Sequence, residues 1–170
     1  MTLQKLRDTH DTVLIATGVY AAKDLKCPGS GADGVHAALD YLTASNRKGF
    51  GDAVAEFDVG TLDANDKRVV VIGGGDTAMD CVRTAIRQKA KSVSCLYRRD
   101  RANMPGSQRE VLNAEEEGVV FKWLSAPQAF FGDDMVRAVQ AQRIHLGQPD
   151  ATGRQVPEVI DGSAHELPAD

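Results

Sequence analysis

The sequence predicts an α/β protein with a parallel sheet flanked by helices and an added antiparallel β-hairpin region. Residues 67–124 alternate between strand and helix patterns. They begin with the run KRVVVIGGG (67–75), whose β-branched residues without polar alternation suit the interior of a parallel sheet. After Pro127, the stretch MVRAVQAQRIHLG (135–147) alternates apolar and charged residues, which is typical of an antiparallel strand.

Hydrophobic spacing and turn residues predict the remaining elements. The stretch DTVLIATG (11–18) predicts a short buried strand with a tight glycine exit, and IDGS (160–163) predicts a hairpin tip. Ser107 followed by Glu110 has the spacing of a capping box at a helix start. The other predicted helices and strands are HAALDYLTASNRKG (36–49), DTAMDCVRTAIRQKA (76–90), SVSCLYRR (92–99), SQREVLNAEEEG (107–118) and VVFKWL (119–124).

Composition excludes several classes of function. A net charge of −4 gives no bulk field for nucleic acid or an anionic membrane, and no apolar run reaches the ~20 residues that span a bilayer. Cys27, Cys81 and Cys95 lie far apart, which argues against a zinc knuckle, a cluster ligand run or a dithiol pair. Three unpaired thiols, expected to be buried, suit a reducing cytoplasm. No histidine, serine or cysteine stands in a recognisable catalytic arrangement.

The turn after the first central strand fits the pattern G-x-G-x-x-A at Gly73, Gly75 and Ala78. Gly73 allows a sharp turn, Gly75 lets a pyrophosphate approach the backbone, and Ala78 allows close helix–strand packing. The helix N-terminus then offers N–H groups to the phosphates. Asp76 opposes an anion unless its side chain turns away to cap the helix, and Thr77 can donate its hydroxyl. The prediction is a Rossmann-like, NAD(P)-binding domain.

Arginines occupy the corner that sets coenzyme choice in such folds. An acidic residue about 20 residues past the glycines binds the ribose 2′-hydroxyl of NAD, whereas this chain has Arg98 and Arg99 there. Guanidinium groups suit a 2′-phosphate, so the prediction is NADPH over NADH, with a solvated basic surface as the alternative. Asp100 is expected to orient the arginines. Arg101 and Arg109 are second-rank candidates.

Nearly the whole chain resembles the pyridine-nucleotide domain of the glutamate synthase small (beta) subunit family. The most specific stretch is YRRDRANMPGSQREVLNAEEEGV (97–119), with two arginines, a Met-Pro-Gly turn and an acidic helix. DTVLIATG is similar to the strand and turn between the FAD and NADPH domains of two-dinucleotide flavoproteins. CPGSGADGVHAALDYL (27–42) resembles the re-entry segment that follows.

This resemblance implies that NADPH binds here and passes hydride to FAD in a parent enzyme with 4Fe-4S clusters. A large subunit then makes glutamate from glutamine and 2-oxoglutarate. The implied partners are the rest of the small subunit and that large subunit, with no nucleic acid and no membrane. The residues implied to bind NADPH are Gly73, Gly75, Asp76, Thr77, Ala78, Arg98 and Arg99. Those implied to face FAD in the parent are Ala16, Thr17 and Gly18.

The resemblance also suggests a fragment, because the chain shows neither an FAD fingerprint before DTVLIATG nor a cysteine-rich cluster segment. The predicted divisions are an FAD-domain stub (1–20), a connector with a re-entry helix (21–66), the NADPH domain (67–160) and the return to the FAD domain (161–170). The alternatives are a related FAD/iron–sulfur oxidoreductase with another acceptor, such as a dihydropyrimidine dehydrogenase-like enzyme, or a nucleotide-binding module without catalysis.

Overall fold

The computed structural model describes residues 2–16, 25–151 and 153–170. Five helices and seven strands are found in these ranges. The helices are α1 (Leu3–Thr9), α2 (Ala38–Gly49), α3 (Ala55–Asp58), α4 (Asp76–Arg87) and α5 (Gln108–Glu116). The strands are β1 (Arg68–Ile72), β2 (Ser92–Leu96), β3 (Val120–Lys122), β4 (Ser125–Phe131), β5 (Ala138–Pro149), β6 (Gln155–Val159) and β7 (His165–Pro168).

The first three strands form the parallel sheet that the sequence predicts. They pair in the order β1-β2-β3, with Val70 opposite Ser94 and Cys95 opposite Phe121. α4 connects β1 to β2, and α5 connects β2 to β3. The prediction of a parallel sheet with crossover helices is therefore confirmed, and the carboxyl ends of β1 and β2 meet at one edge.

The last four strands form the antiparallel region. The first half of β5 pairs with β4 and β7, and its second half pairs with β6. The prediction that IDGS is a hairpin tip is wrong: β6 and β7 pair with successive stretches of β5, so IDGS interrupts this pairing without reversing the chain. The hairpin tip lies instead between β5 and β6, where the Asp150 N–H donates to the Arg154 carbonyl (2.8 Å).

Two cores lie on opposite faces of the parallel sheet, because alternate residues of a strand point to opposite sides. Val69 and Val71 of β1 pack with α4 and α5, whereas Val70 and Ile72 pack with the antiparallel strands. The fully buried residues of the helix side include Met79, Val82, Val93, Cys95 and Val111. The molecule therefore has a helix layer, a parallel sheet and an antiparallel sheet.

The helix predicted over residues 36–49 is present as α2, which packs against α4. Gln88, which follows α4, joins the two: its side-chain oxygen accepts hydrogen bonds from the Tyr41 hydroxyl (2.9 Å) and the Ala64 N–H (3.0 Å). The connector predicted to be irregular contains the four-residue helix α3. The N-terminal helix α1 was not predicted from the sequence.

The strand predicted over residues 11–18 is not formed in its described part, residues 11–16. Leu14 and Ile15 are 88% and 65% exposed, and no described strand pairs with this segment. A β-branched apolar run becomes a strand only where another strand satisfies its backbone groups. Ala16 is exposed at the end of this segment, and Thr17 and Gly18 lie outside the described residues.

The predicted capping box is also absent. Ser107 is the N-cap of α5, but its side chain makes no capping hydrogen bond. Glu110 pairs instead with Arg83 of α4, and Arg83 also contacts Glu117 (2.7 Å between Nη2 and Oε1). Ion pairs between the helices have replaced the local capping hydrogen bonds, and they fasten α5 to α4.

This ion-pair network predicts acid-sensitive stability. The hydrogen bond from Arg83 lowers the pKa of Glu117 below its ordinary value. A depressed carboxyl pKa stabilises the fold above the unfolded-state pKa, and that contribution is lost as pH falls through the folded-state value. We expect Glu117→Gln to lower the free energy of unfolding at pH 7 by ~0.5–1 kcal/mol and to make no difference near pH 2. Urea denaturation at both pH values measures this.

The matched control is Glu116→Gln, since Glu116 is exposed and pairs with no described residue. A similar loss in this variant, or a Glu117→Gln effect that persists in acid, would show that the network does not carry the pH dependence.

Candidate nucleotide-binding site

The glycine turn lies between β1 and α4, and its glycines meet different constraints. Gly73 has a φ of +148°, in the region where a side chain is disfavoured, so the predicted need for a sharp turn is supported. A Cβ on Gly73 would lie 3.5 Å from the Cβ of Ala78, which places Ala78 directly against the turn. A Cβ on Gly75 would meet no atom within 4 Å. The space above Gly75 is therefore open at the N-terminus of α4.

Gly74 shows a constraint that sequence reasoning missed. A Cβ there would lie 2.5 Å from Cε2 of Tyr97, which follows β2 and is 8% exposed. The Tyr97 hydroxyl donates to the Asn103 carbonyl (3.0 Å), and the Gly106 N–H donates to the Gly74 carbonyl (2.9 Å). The arginine-bearing loop of residues 98–106 is thus fastened to the glycine turn.

The Asp76 side chain does not cap its own helix as predicted. Its Oδ1 accepts the Ser107 N–H (3.0 Å), so the carboxylate is held at the start of α5. Thr77 is exposed in the first turn of α4. A helix N-terminus carries free N–H groups and positive partial charge, so an anion can approach this turn from the Gly75 side.

The two predicted arginines have different surroundings. Arg98 is exposed and makes no hydrogen bond or ion pair with any described residue. Arg99 is half-buried, and its Nε and Nη2 donate to the Gln155 carbonyl at 3.4 and 3.3 Å. Asp100 does not orient them as predicted, because its Oδ1 accepts the backbone and side-chain N–H groups of Asn103 (2.9 and 2.8 Å). It shapes the loop instead.

The two second-rank arginines also differ in whether they have a partner. Arg101 forms an ion pair with Glu115 (2.9 Å between Nη2 and Oε2), so its charge is already matched within the chain. Arg109 is exposed in the first turn of α5 and pairs with no described residue.

Two of the three cysteines are buried thiols that stay protonated at neutral pH. The Cys95 thiol donates to the Gly73 carbonyl (3.3 Å), and burial raises the pKa of Cys95 to about 12. Burial also raises the pKa of Cys81 to about 12, so neither supplies a thiolate at neutral pH. Cys27 is only half-buried, and all three are free. Burial is therefore confirmed for two of the three.

Two negative findings apply to the described residues. No group of three or more His, Cys, Asp or Glu side chains in them could hold a metal ion. Among the helices of this part of the chain, none has the length and apolar character of a membrane span.

These features define a Rossmann-like domain with a glycine turn and a free arginine at the carboxyl edge of its parallel sheet. The chain belongs to the family Pyridine nucleotide-disulphide oxidoreductase, which matches residues 2–151.

The relatives that match the full length of this chain are longer proteins. The chain is 63% identical over 168 residues to the glutamate synthase [NADPH] small chain of Azospirillum brasilense, covering 99% of this chain and 35% of that protein. It is 37% identical over 172 residues to the NADPH-Fe(3+) oxidoreductase subunit beta of Geobacter sulfurreducens, covering 100% of this chain and 24% of that protein. The chain thus spans about a third or less of these relatives.

A solved structure has the same fold. Mycobacterium tuberculosis FprA in complex with NADPH aligns with a TM-score of 0.75 at 19% identity, covering 98% of this chain and 50% of that one. The predicted fold class is confirmed. It is that of two-dinucleotide flavoproteins.

Proposed function

We propose that this chain binds NADPH, with the pyrophosphate at the Gly75 side of the turn and the 2′-phosphate on Arg98. The observation that carries the proposal is the uncompensated Arg98 guanidinium at the end of β2. In this fold the adenosine ribose lies at that corner. An unpaired arginine there offers a phosphate paired, charge-assisted hydrogen bonds.

The surrounding residues fit this ligand. Both nearby carboxylates are held by N–H donors: Asp76 by Ser107, and Asp100 by Asn103. Neither takes the position of a ribose-binding acid. Gly75 leaves room for the backbone to meet a pyrophosphate, and Thr77 is free to donate its hydroxyl.

We further propose that the hydride of NADPH goes to an FAD in a whole protein of the glutamate synthase small-subunit type. Bound NADPH supplies the hydride, while this chain's residues bind and orient it. The support is the 63% identity to a glutamate synthase [NADPH] small chain. The proposed partners are an FAD-binding part of the same protein, 4Fe-4S clusters and a large subunit in the cytoplasm. Their reaction makes glutamate from glutamine and 2-oxoglutarate.

A related oxidoreductase with another electron acceptor is the second candidate. The 37% identity to the beta subunit of an NADPH-Fe(3+) oxidoreductase favours it, since that relative also spans the whole chain. The names of both relatives include NADPH, whereas the electron acceptor differs between the two candidates. Glutamate formation by the whole protein, measured against ferric reduction, separates the two candidates.

Calorimetric titration of the chain with NADPH and NADH tests the binding proposal. We expect NADPH to bind about 10- to 100-fold more tightly, because a phosphate on a charged hydrogen-bond donor is worth ~1.5–3 kcal/mol. Trp123, the only tryptophan, lies edge-on to Tyr97 (6.4 Å between ring centroids), so its fluorescence gives an independent signal near the turn. Equal affinity for both nucleotides, or no binding by the folded chain, would contradict the proposal.

A further inference from the structure

The distal hairpin, formed by residues 144–149 of β5 and by β6, extends beyond the antiparallel sheet. Residues 138–141 of β5 pair with both β4 and β7, whereas β6 is the only described strand that pairs with residues 144–149. Val156 and Val159 are 42% and 45% exposed, and no described residue between 145 and 160 belongs to either core. Burial of side chains in the two cores therefore does not account for the extension of this hairpin beyond the sheet.

The hairpin is linked to Arg99 at both of its ends, directly at the tip and through Leu124 at the base. At its base, the Leu124 N–H donates to the Arg99 carbonyl (3.1 Å), and the Ile144 N–H donates to the Leu124 carbonyl (2.7 Å). At its tip, the Gln155 carbonyl accepts the Arg99 guanidinium. Backbone and side chain of one arginine are thus attached to the same hairpin.

Leu124, which lies between β3 and β4, links Arg99 in the loop after β2 to Ile144 at the base of the hairpin, and its φ is +50°. A leucine rarely adopts this conformation, which costs ~1 kcal/mol or more and persists only where the surroundings fix it. Here both of its backbone groups are used in the bridge from Arg99 to Ile144. The junction is held in place at some cost in free energy.

The nitrogen atoms of the Arg99 guanidinium differ in their partners. Nε and Nη2 point to the Gln155 carbonyl, and Nη1 bonds to no described residue. A guanidinium is a rigid, planar fork, so fixing one edge fixes the direction of the other. Nη1 of Arg99 is therefore left for an anion, in an orientation that the Gln155 contact sets.

We infer that the distal hairpin is a specificity element of the nucleotide site: its Gln155 carbonyl holds Arg99 ready for the 2′-phosphate of NADPH. Arg99 is then a binding residue and the hairpin positions it. Arg98, which has no partner, acts independently of the hairpin. This inference rests on the proposed NADPH function and adds a structural reason for the NADPH preference.

A shortened hairpin tests the inference. Residues 147–156 are replaced by a Gly-Asn-Gly turn joining Leu146 to Pro157, which face each other in the β5–β6 pairing. We expect NADPH affinity to fall about 5- to 10-fold and NADH affinity to stay unchanged. In the Arg99→Ala background the shortening should have no further effect, whereas in the Arg98→Ala background it should keep its full factor.

Arg154→Ala is the matched control, because it removes a charge at the hairpin tip and leaves the Gln155 carbonyl in place. It should bind NADPH as the parent does. The inference is overturned if the shortening has no effect, if its factor is the same with and without Arg99, if NADH binding falls equally, or if Arg154→Ala reproduces the loss. Failure of the proposed function itself has a different signature: the parent chain would show no preference for NADPH.

Discussion

Replacing Arg98 by alanine is expected to weaken NADPH binding about 10- to 100-fold and to leave NADH binding unchanged. The reason is the position of Arg98 after the carboxyl end of β2, where it is exposed and unpaired. In the proposed complex these donors contact only the 2′-phosphate, and the substitution removes them. NADH has no phosphate there and should not register the change.

Calorimetry with both nucleotides measures this selectivity, and two further variants sharpen it. Arg98→Lys keeps the charge but loses the planar fork, so it should retain part of the preference. Arg98→Glu should reverse the preference, because a carboxylate repels a phosphate and accepts from a ribose hydroxyl. The NADPH affinity of the parent should also fall more steeply with salt than that of Arg98→Ala.

The control variant is Lys91→Ala, which changes the net charge equally at the opposite end of the same strand. Lys91 directly precedes β2, is exposed, and its side chain bonds to no described residue. A loss of NADPH binding in this variant would mean that general charge attracts the coenzyme. Equal losses for NADPH and NADH in Arg98→Ala would show that Arg98 supports the fold of the site and does not read the phosphate.

The sequence was sufficient where local chemistry decides the structure. The β-branched run of β1 and the apolar stripe of α4 specify a parallel strand and its crossover helix, and both are present. The predicted interior position of this strand is wrong for the described sheet, because β1 is half-buried at its edge and β2 is the central strand. The glycine spacing located the turn correctly, because the φ of +148° at position 73 is one that glycine adopts readily and other residues rarely do.

The predictions failed where the structure depends on a contact with a residue that is distant in the sequence. Turn residues in IDGS show that the chain bends, but not whether the next strand pairs with the previous one or with β5. The capping-box spacing cannot reveal that Arg83 attracts Glu110 from another helix. Likewise, the sequence placed Arg98 and Arg99 side by side, whereas the partner of Arg99 comes from residue 155.

Gly74 and Gly75 are adjacent, yet their replacement by alanine should have opposite consequences. In Gly74→Ala the new Cβ would lie 2.5 Å from the ring of Tyr97. That ring cannot move freely, since it packs edge-on to Trp123 and its hydroxyl is bonded to Asn103. Overpacking of this kind costs ~1–3 kcal/mol. The expected decrease in Tm is therefore about 3–10 °C for a domain of this size.

In Gly75→Ala the new Cβ meets no protein atom, and the backbone at φ −89° and ψ 175° accepts any residue. Tm should therefore stay within about 1 °C of the parent value. The Cβ would, however, occupy the space through which a pyrophosphate reaches the turn. Because NADPH and NADH share the pyrophosphate, both should lose about 10-fold or more in affinity.

Differential scanning calorimetry and nucleotide titration of the two variants therefore separate packing from ligand contact. Adding Tyr97→Leu to Gly74→Ala should cost less than the sum of the single changes, since the smaller side chain relieves the clash. Additive costs would show that Tyr97 is not the obstacle. A stable Gly75→Ala variant with undiminished affinity for both nucleotides would show that the pyrophosphate does not lie on the glycine turn, and the proposed site would have to be abandoned.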